Sequence, residues 1–461
     1  ILRILKELKG APPINEIFRQ FYQERDAVFL DSSLENDLGR YSIIGLHPYL
    51  KLVCGERFTV NGVEQTEDFE SYLSRYLREH RDENHTSLPL VSGAIGYFSY
   101  DYGRKREGVH TRHGDSSQIP DAILIFYDDF IIRDHREKKL FLVANGKLRP
   151  SGQSIRELER ICQNPKLQDP LLESSSQGTI PFCVKANFDQ EEYKEAVRNM
   201  IRYIEEGDIY IANMTQQLQI QSPRQPWEVF ETLRRENPSP FGGYFQYGDF
   251  QIVCASPERF LQMRRGHIST RPIKGTRKRG MAAREDLAMR RELEESEKDK
   301  SELLMIVDLE RNDLNRVCLP GSVKVTELFA VEEYATVFHL VSTVEGSLDP
   351  AYTVTDLIGA THPGGSITGA PKRRAMEIID ELEHGCRGLY TGSLGYLTLD
   401  GCCDFNIVIR TALYRQGVYH LGVGGGITWE SDPQFEYEET LQKAKALLQA
   451  LSPREVKHEK L

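Results

Sequence analysis

The order in which strand-like and helix-like segments succeed one another constrains this chain most. Apolar runs predict strands at 27–30, 49–53, 91–100, 122–127 and 139–143. Among them stands one helix, 69–81, with Tyr72, Leu73, Tyr76 and Leu77 at apolar positions. Further on, a helix spans about 190–206, a strand runs from 251 to 256, and a long helix covers 296–316 with Leu303, Leu304, Val307 and Leu314 as apolar positions. Strands around 323, 339, 392–399, 405–411 and 418–423 follow. Asp432-Pro433 then opens a last helix, an acidic N-cap with Pro at the first helical position. Strands and helices do not alternate strictly, so the expected class is α+β with antiparallel sheets, not a doubly wound parallel sheet. A stretch rich in Ser, Gln and Pro at 166–180 reads as a linker between an N-terminal region, 1–165, and a second region, 181–455.

Composition narrows the function. A chain of 461 residues with 39% hydrophobic and 28% charged residues describes a globular protein of one large or two to three ordinary domains. No apolar run approaches membrane-spanning length, so no membrane partner is expected. The net charge of −11 argues against nucleic acid. Eight cysteines without a C-x-x-C spacing point to reduced thiols, a cytoplasmic setting and no zinc site. The chain opens on Ile1 and not Met, so a short N-terminal piece is expected to precede it.

Against that acidic background, Arg271-Pro-Ile-Lys-Gly-Thr-Arg-Lys-Arg-Gly280 carries five cations in ten residues. Lys274 lies between a strand-like Pro-Ile and Gly275, a setting in which a lysine enters a cleft while the backbone approaches a ligand. Acting as a nucleophile near neutrality requires a loss of roughly 3 pKa units, about 4 kcal/mol. Partial burial and the neighbouring Arg271 and Arg277 are expected to supply it.

Three further stretches carry chemistry. His362-Pro-Gly-Gly-Ser-Ile-Thr-Gly-Ala-Pro-Lys372 has P-loop glycine spacing at Gly364 and Gly369, but Ala370 stands where that motif needs Lys, so the nucleotide reading fails. A loop of small residues entering a helix still offers N–H groups to a carboxylate or phosphate. In Leu421-Gly-Val-Gly-Gly-Gly-Ile-Thr428, backbone donors at Gly424, Gly425 and Gly426 suit a carboxylate; a flexible hairpin is the plainer alternative. Glu302 lies on one helix, and Glu436 and Glu439 share a face of another, with Leu441 and Leu448 expected opposite. Acidic residues from two helices facing one cleft would suit Mg2+, which takes few carboxylates and keeps waters; a surface charge stripe is the plainer alternative. Gly385-Cys-Arg-Gly388 reads as a loop and not as a glutaminase nucleophile turn.

Pro272-Ile-Lys-Gly-Thr276, Met305-Ile-Val-Asp-Leu-Glu-Arg-Asn-Asp313, Pro363-Gly-Gly-Ser-Ile-Thr-Gly-Ala-Pro-Lys372 and Ile407-Val-Ile-Arg-Thr411 together resemble the chorismate-utilising enzymes. The likeness is dense from about 185 to 450 and thinner before it, where Leu30-Asp-Ser32 and Gly39-Arg-Tyr-Ser-Ile-Ile-Gly45 resemble the amine-forming members. It implies antiparallel sheets packed face to face in an α/β/β/α layering, and Mg2+-dependent chemistry on chorismate, a dicarboxylate. By motif, Glu302 and Glu439, with Glu436 as accessory, would hold the metal. Arg410, Tyr390 and the backbone of Gly424 to Gly426 would hold the enolpyruvyl carboxylate, and Gly275 and Thr276 the ring side. His339 would line the site and Glu258 would protonate the departing 4-hydroxyl.

At the position of Lys274, members that add nitrogen at ring carbon 4 typically carry Lys, whereas those acting at carbon 2 usually carry Ala. The resemblance therefore implies C4 amination through a lysine-linked intermediate, with ammonia from a separate glutamine amidotransferase subunit. Ile211 departs from the family, which has Gln there in ammonia-using members and Lys in water-using ones. A tryptophan pocket is also implied, at Ser32, Arg40, Tyr41, Ser42, Pro240 and Phe241, with Asp31 in place of the usual Glu or His. Leu171-Leu-Glu-Ser174 resembles the regulatory tetrapeptide in letters but sits in the linker.

Overall fold

A computed structural model describes residues 2–114, 119–163, 181–333 and 337–453. The expected linker, 166–180, and the tetrapeptide within it lie outside the described residues.

Every described strand pairing is antiparallel, and the ladder is continuous. It runs from Ile211–Gln221 through Val418–Ile427, Thr411–Arg415, Phe250–Ser256, Phe241–Gln246, Val28–Asp31 and Tyr41–Cys54 to Ala122–Asp134. From there it continues through Gly93–Phe98, Ser393–Thr398, Cys403–Asn406, Arg259–Arg264 and His267–Thr270 to Val337–Ser347. Ile273–Lys278 and Lys324–Glu333 flank that last strand on opposite edges. Strands from the N-terminal region thus form one block in the ladder, with strands from the later region on either side of it.

The ladder doubles back on itself, and the period of two along its strands sorts side chains into layers. Ile123, Ile125 and Tyr127 join Val28, Ile43, Phe245, Ile252 and Leu413 in a core between the facing sheets. Their neighbours Ala122, Leu124 and Phe126 point outward, under the helices Phe69–Glu79, Glu297–Asn315 and Val354–Thr361. On the opposite outer face, the helices Ser151–Gln163, Pro226–Glu236 and Pro433–Leu451 cover Phe29, Ile44, Val253 and Leu421. The result is the expected α/β/β/α order.

Most predicted elements are present, with three corrections. The single strand expected at 405–411 is two: 403–406 belongs to one sheet, 411–415 to the facing one, and the chain crosses between them through Arg410 at φ 49°. The glycines at 424–426 belong to a strand that extends to Ile427, not to a hairpin, because each pairs with Asn213, Met214 or Thr215. On the last helix Leu441 is exposed, while Glu436 shares the buried face with Thr440, Ala444, Leu447 and Leu451. The expected polarity of that helix is therefore reversed at its first turn, and Leu304 of the long helix is likewise exposed.

A buried ion pair ties the loop after the predicted 362–372 motif to the sheet. Arg387 donates to both Glu383 oxygens and to the carbonyls of Ile367 and Asn213, while Glu383 accepts from Thr215 N at 2.9 Å. Both side chains are buried, and the Tyr100 ring stacks 4.7 Å from the guanidinium. Removing one partner strands a buried charge, so Arg387→Ala is expected to lower unfolding free energy by about 3–5 kcal/mol, read from denaturant melts.

Candidate active site

The site lies where the chain switches between the facing sheets. One crossing, Pro257-Glu258, links strand 250–256 to strand 259–264; the other runs from 407 to 410. They are fastened together by Ile407 N to Glu258 O at 3.1 Å, Ser256 Oγ to Ile407 O at 2.6 Å and Ala255 N to Arg410 O at 3.1 Å. Strand 411–415 pairs with its neighbour 418–427 only as far as Leu421. Beyond it, residues 422–427 keep strand 211–221 on one edge and, among the described residues, have no strand on the other. Glycine keeps this edge open: a Cβ at Gly422 would fall 2.1 Å from the Tyr390 ring.

Lys274 reaches this opening through a β-bulge. Strand 273–278 shifts register against strand 337–347 between Lys274 and Thr276, with Gly275 at φ 73°. A side chain at Gly275 would meet Asp299 and Leu293 at 2.8 Å, so only glycine fits, and the bulge re-aims its two neighbours. Lys274 Nζ donates to Ser366 O at 3.2 Å, and Ser366 Oγ donates to Glu258 Oε1 at 2.8 Å. A Cβ placed on Gly426 would lie 3.4 Å from Lys274 Nζ, 3.6 Å from Ile211 Cδ1 and 3.7 Å from Glu302 Oε2. One on Gly425 would lie 2.9 Å from Glu439 Oε2 and 3.1 Å from Glu436 Oε2. The lysine, the three glutamates and the glycine strand therefore converge.

The electrostatics differ from expectation in one respect. Arg271 and Arg277 do not crowd Lys274 with positive charge: Arg271 pairs with Glu327 and Glu332 at 2.7 and 2.6 Å, and Arg277 with Glu292 and Asp299 at 2.7 and 3.0 Å. Each guanidinium is thus neutralised by carboxylates of neighbouring elements. Lys274 instead acts on Glu258 and Glu302, whose carboxyls burial pushes upward while the lysine pulls them back. Glu436 is pushed up to about 7, mostly by burial and also by Glu439, and its Oε2 has no hydrogen-bond partner among the described residues. Lys298 stands 3.8 Å from Glu436 and 4.0 Å from Glu302, and Lys443 3.2 Å from Glu439.

Arg410 is exposed to the cleft, and the surrounding protein draws its pKa down against the pull of Glu258. His339 is buried behind Thr276, whose Oγ1 lies 2.8 Å from His339 Nδ1. Residue patterns did not reveal Lys372, which is buried and paired with Asp313 at 2.6 Å, or Glu310 beside them. Their signal was the acidic run ending at Asp313, which reads as solvent-facing until its helix is seen packed on the sheet.

A separate cavity of about 530 Å³ lies between the sheets. Ser32, Arg40, Tyr41, Pro240 and Phe241 line it; Ser42, expected with them, does not line it but lies buried behind Asp31 and Ser32, donating to Asp31 Oδ1 at 3.0 Å and accepting from Ser32 N at 3.0 Å.

Comparison with known proteins now decides the family: its profile, described as chorismate binding enzyme, matches residues 32–449. The chain belongs to the chorismate-binding enzymes. It is 38% identical over 424 residues to aminodeoxychorismate synthase component 1 of Bacillus subtilis, covering 90% of this chain and 89% of that one. It is 35% identical over 458 residues to anthranilate synthase component 1 of Lactococcus lactis, covering 97% and 99%. The crystal structure of anthranilate synthase component I from Streptococcus pneumoniae superposes with a TM-score of 0.80 at 31% identity, over 90% of this chain and 93% of that one. Membership makes this protein an enzyme acting on chorismate. Among the described residues of this chorismate-binding enzyme, no helix is long and apolar enough to cross a membrane.

Burial of His339, reinforced by Arg410, pulls its pKa down to about 4. The unfolded chain therefore takes up a proton that the folded one refuses, so stability falls as pH drops from about 6.5 to about 4. The loss from this group is about 3 kcal/mol. Thermal melts of His339→Asn across that range are expected to show a correspondingly shallower acid slope, with further contributions from His362, also lowered to about 4, and from His135, which burial lowers too.

Proposed function

We propose that the chain is component I of an aminodeoxychorismate synthase, converting chorismate and ammonia to 4-amino-4-deoxychorismate and water on the route to 4-aminobenzoate and folate. The observation that carries this reading is the placement of Lys274 Nζ beside Glu258, Glu302 and the open glycine strand. The amine of Lys274 attacks ring C2; the double bond shifts, the bond from C4 to its hydroxyl breaks, and Glu258 supplies the proton that makes water the leaving group. Ammonia then adds at C4, and the lysine nitrogen leaves C2 with the electron pair it brought. Occupation of C2 by the side chain diverts nitrogen to C4. Ile211 leaves an apolar side chain where a water-activating lysine would stand, which favours amination over hydration.

Arg410, Tyr390 and the backbone of Gly424 to Gly426 hold the enolpyruvyl carboxylate, Gly275 and Thr276 the ring side, with His339 behind Thr276. The catalytic machinery falls in 181–455, with 1–165 contributing the cavity wall. Among the described residues no three acidic, His or Cys side chains form a ready-made metal cage. Hard oxygen donors from two helices, one with an unsatisfied buried oxygen, nonetheless fit Mg2+, which takes few protein ligands. Glu302 and Glu439, with Glu436, would hold it, and when bound it would neutralise the ring carboxylate. The cavity at Ser32, Arg40, Tyr41, Pro240 and Phe241, with Ser42 behind it, is proposed to take tryptophan. Ammonia is proposed to come from a glutamine amidotransferase subunit, in a cytoplasmic heterodimer.

Incubation with chorismate, Mg2+ and ammonium is expected to give the amine at C4. Anthranilate with released pyruvate would instead identify an anthranilate synthase and overturn the proposal. Lys274→Ala is expected to lower amine formation by about 100-fold or more, and an unimpaired variant would remove the lysine-linked step.

A further inference from the structure

Behind Glu258 lies a carboxyl that the mechanism does not use. Glu310, on helix 297–315, is buried, and its Oε2 lies 2.9 Å from Thr270 Oγ1. The same Thr270 hydroxyl lies 2.8 Å from the carbonyl oxygen of Phe260. A threonine hydroxyl owns one hydrogen, and a carbonyl oxygen can only accept. If Thr270 donates to Phe260, the contact with Glu310 becomes a hydrogen bond only when Glu310 is the donor, and a carboxyl donates only when protonated.

The charges around it agree. Glu258 faces it from the sheet crossing, Asp313 from its own helix and Lys372 from the start of helix Lys372–Leu382; strand 267–270 supplies the uncharged Thr270. Lys372 is committed to Asp313 at 2.6 Å and to Thr361 O at 3.0 Å. An ionised Glu310 would be a buried anion with one neutral partner and two carboxylate neighbours, a costly arrangement.

We propose that Glu310 is a positioning residue, a neutral acid that donates to Thr270 and keeps a further negative charge away from Glu258 and the bound dicarboxylate. The proposal rests on reading the Glu258 cleft as the chorismate site. Burial and Glu258 push Glu310 up to about 8, so its charge emerges only above the neutral range.

The experiment compares the full-length protein with Glu310→Gln, in Mg2+. The folded wild type retains a proton that the unfolded chain releases above about 4.5, so its stability is expected to fall relative to the variant as pH rises from there to about 8, then run parallel. KM for chorismate is expected to rise on the order of tenfold as the wild type passes about pH 8, and the rise to be absent in the variant. Parallel stability profiles throughout would overturn the protonation. A stability difference with identical KM profiles would overturn the role toward substrate. Failure of the wild type to bind chorismate would defeat the functional reading, while the stability comparison still decides the proton. Should Glu310→Gln not fold, Glu310→Leu serves the same comparison.

Discussion

Two strands that part company at Ala412 and Leu421 create the opening on which the site depends. An antiparallel ladder normally satisfies both edges of an inner strand, and residues 422–427 forgo one because the chain at 407–410 is needed to cross into the facing sheet. The exposed edge supplies backbone donors, and the crossing itself supplies Arg410. Glu258 arrives by the neighbouring crossing. Donors, guanidinium and carboxyl are thus held by the framework of the fold, not by a loop added to it.

Glycine makes that opening usable, for three separate reasons. Gly422 yields its volume to Tyr390, Gly425 and Gly426 yield theirs to the glutamates and Lys274, and Gly275 supplies the backbone conformation of the bulge. Substituting any of them would bring a methyl group against a different neighbour. The buried Arg387–Glu383 pair then fixes the distance between the glycine strand's partner, at Asn213 and Thr215, and the Ile367 carbonyl next to Ser366.

Much of this was legible from residue patterns. Long apolar runs marked strand 139–144 to within one residue and the first half of strand 122–134, and Asp432-Pro433 marked the start of the last helix. The order of elements gave the antiparallel class, and the motif likeness grouped Lys274, Glu258, Glu302 and Glu439, which the structure brings together. What stayed hidden depends on tertiary placement. Residues 407–409 are apolar and β-branched, so nothing local signals that the chain changes sheets there. Glu436 reads as a surface acid by helical spacing, and only the packing of its helix buries it. The arginines beside Lys274 are close in sequence, but glutamates and an aspartate from distant segments neutralise them.

The charge balance around Lys274 poses the deeper problem. Glu258, Glu302, Glu436 and Glu439 confront Lys274, Lys298 and Lys443, and a dicarboxylate substrate must enter the same space. With every carboxyl ionised, the site would repel its ligand. Burial offsets part of this by pushing the Glu258, Glu302 and Glu436 carboxyls up from their ordinary value, which disfavours their charged forms. A divalent cation held by Glu302, Glu436 and Glu439, as proposed, would offset the rest with positive charge. The same desolvation raises the Glu258 carboxyl against the pull of Lys274. An acidic pocket for an acidic ligand is therefore self-consistent, provided the acids are buried and the cation is shared.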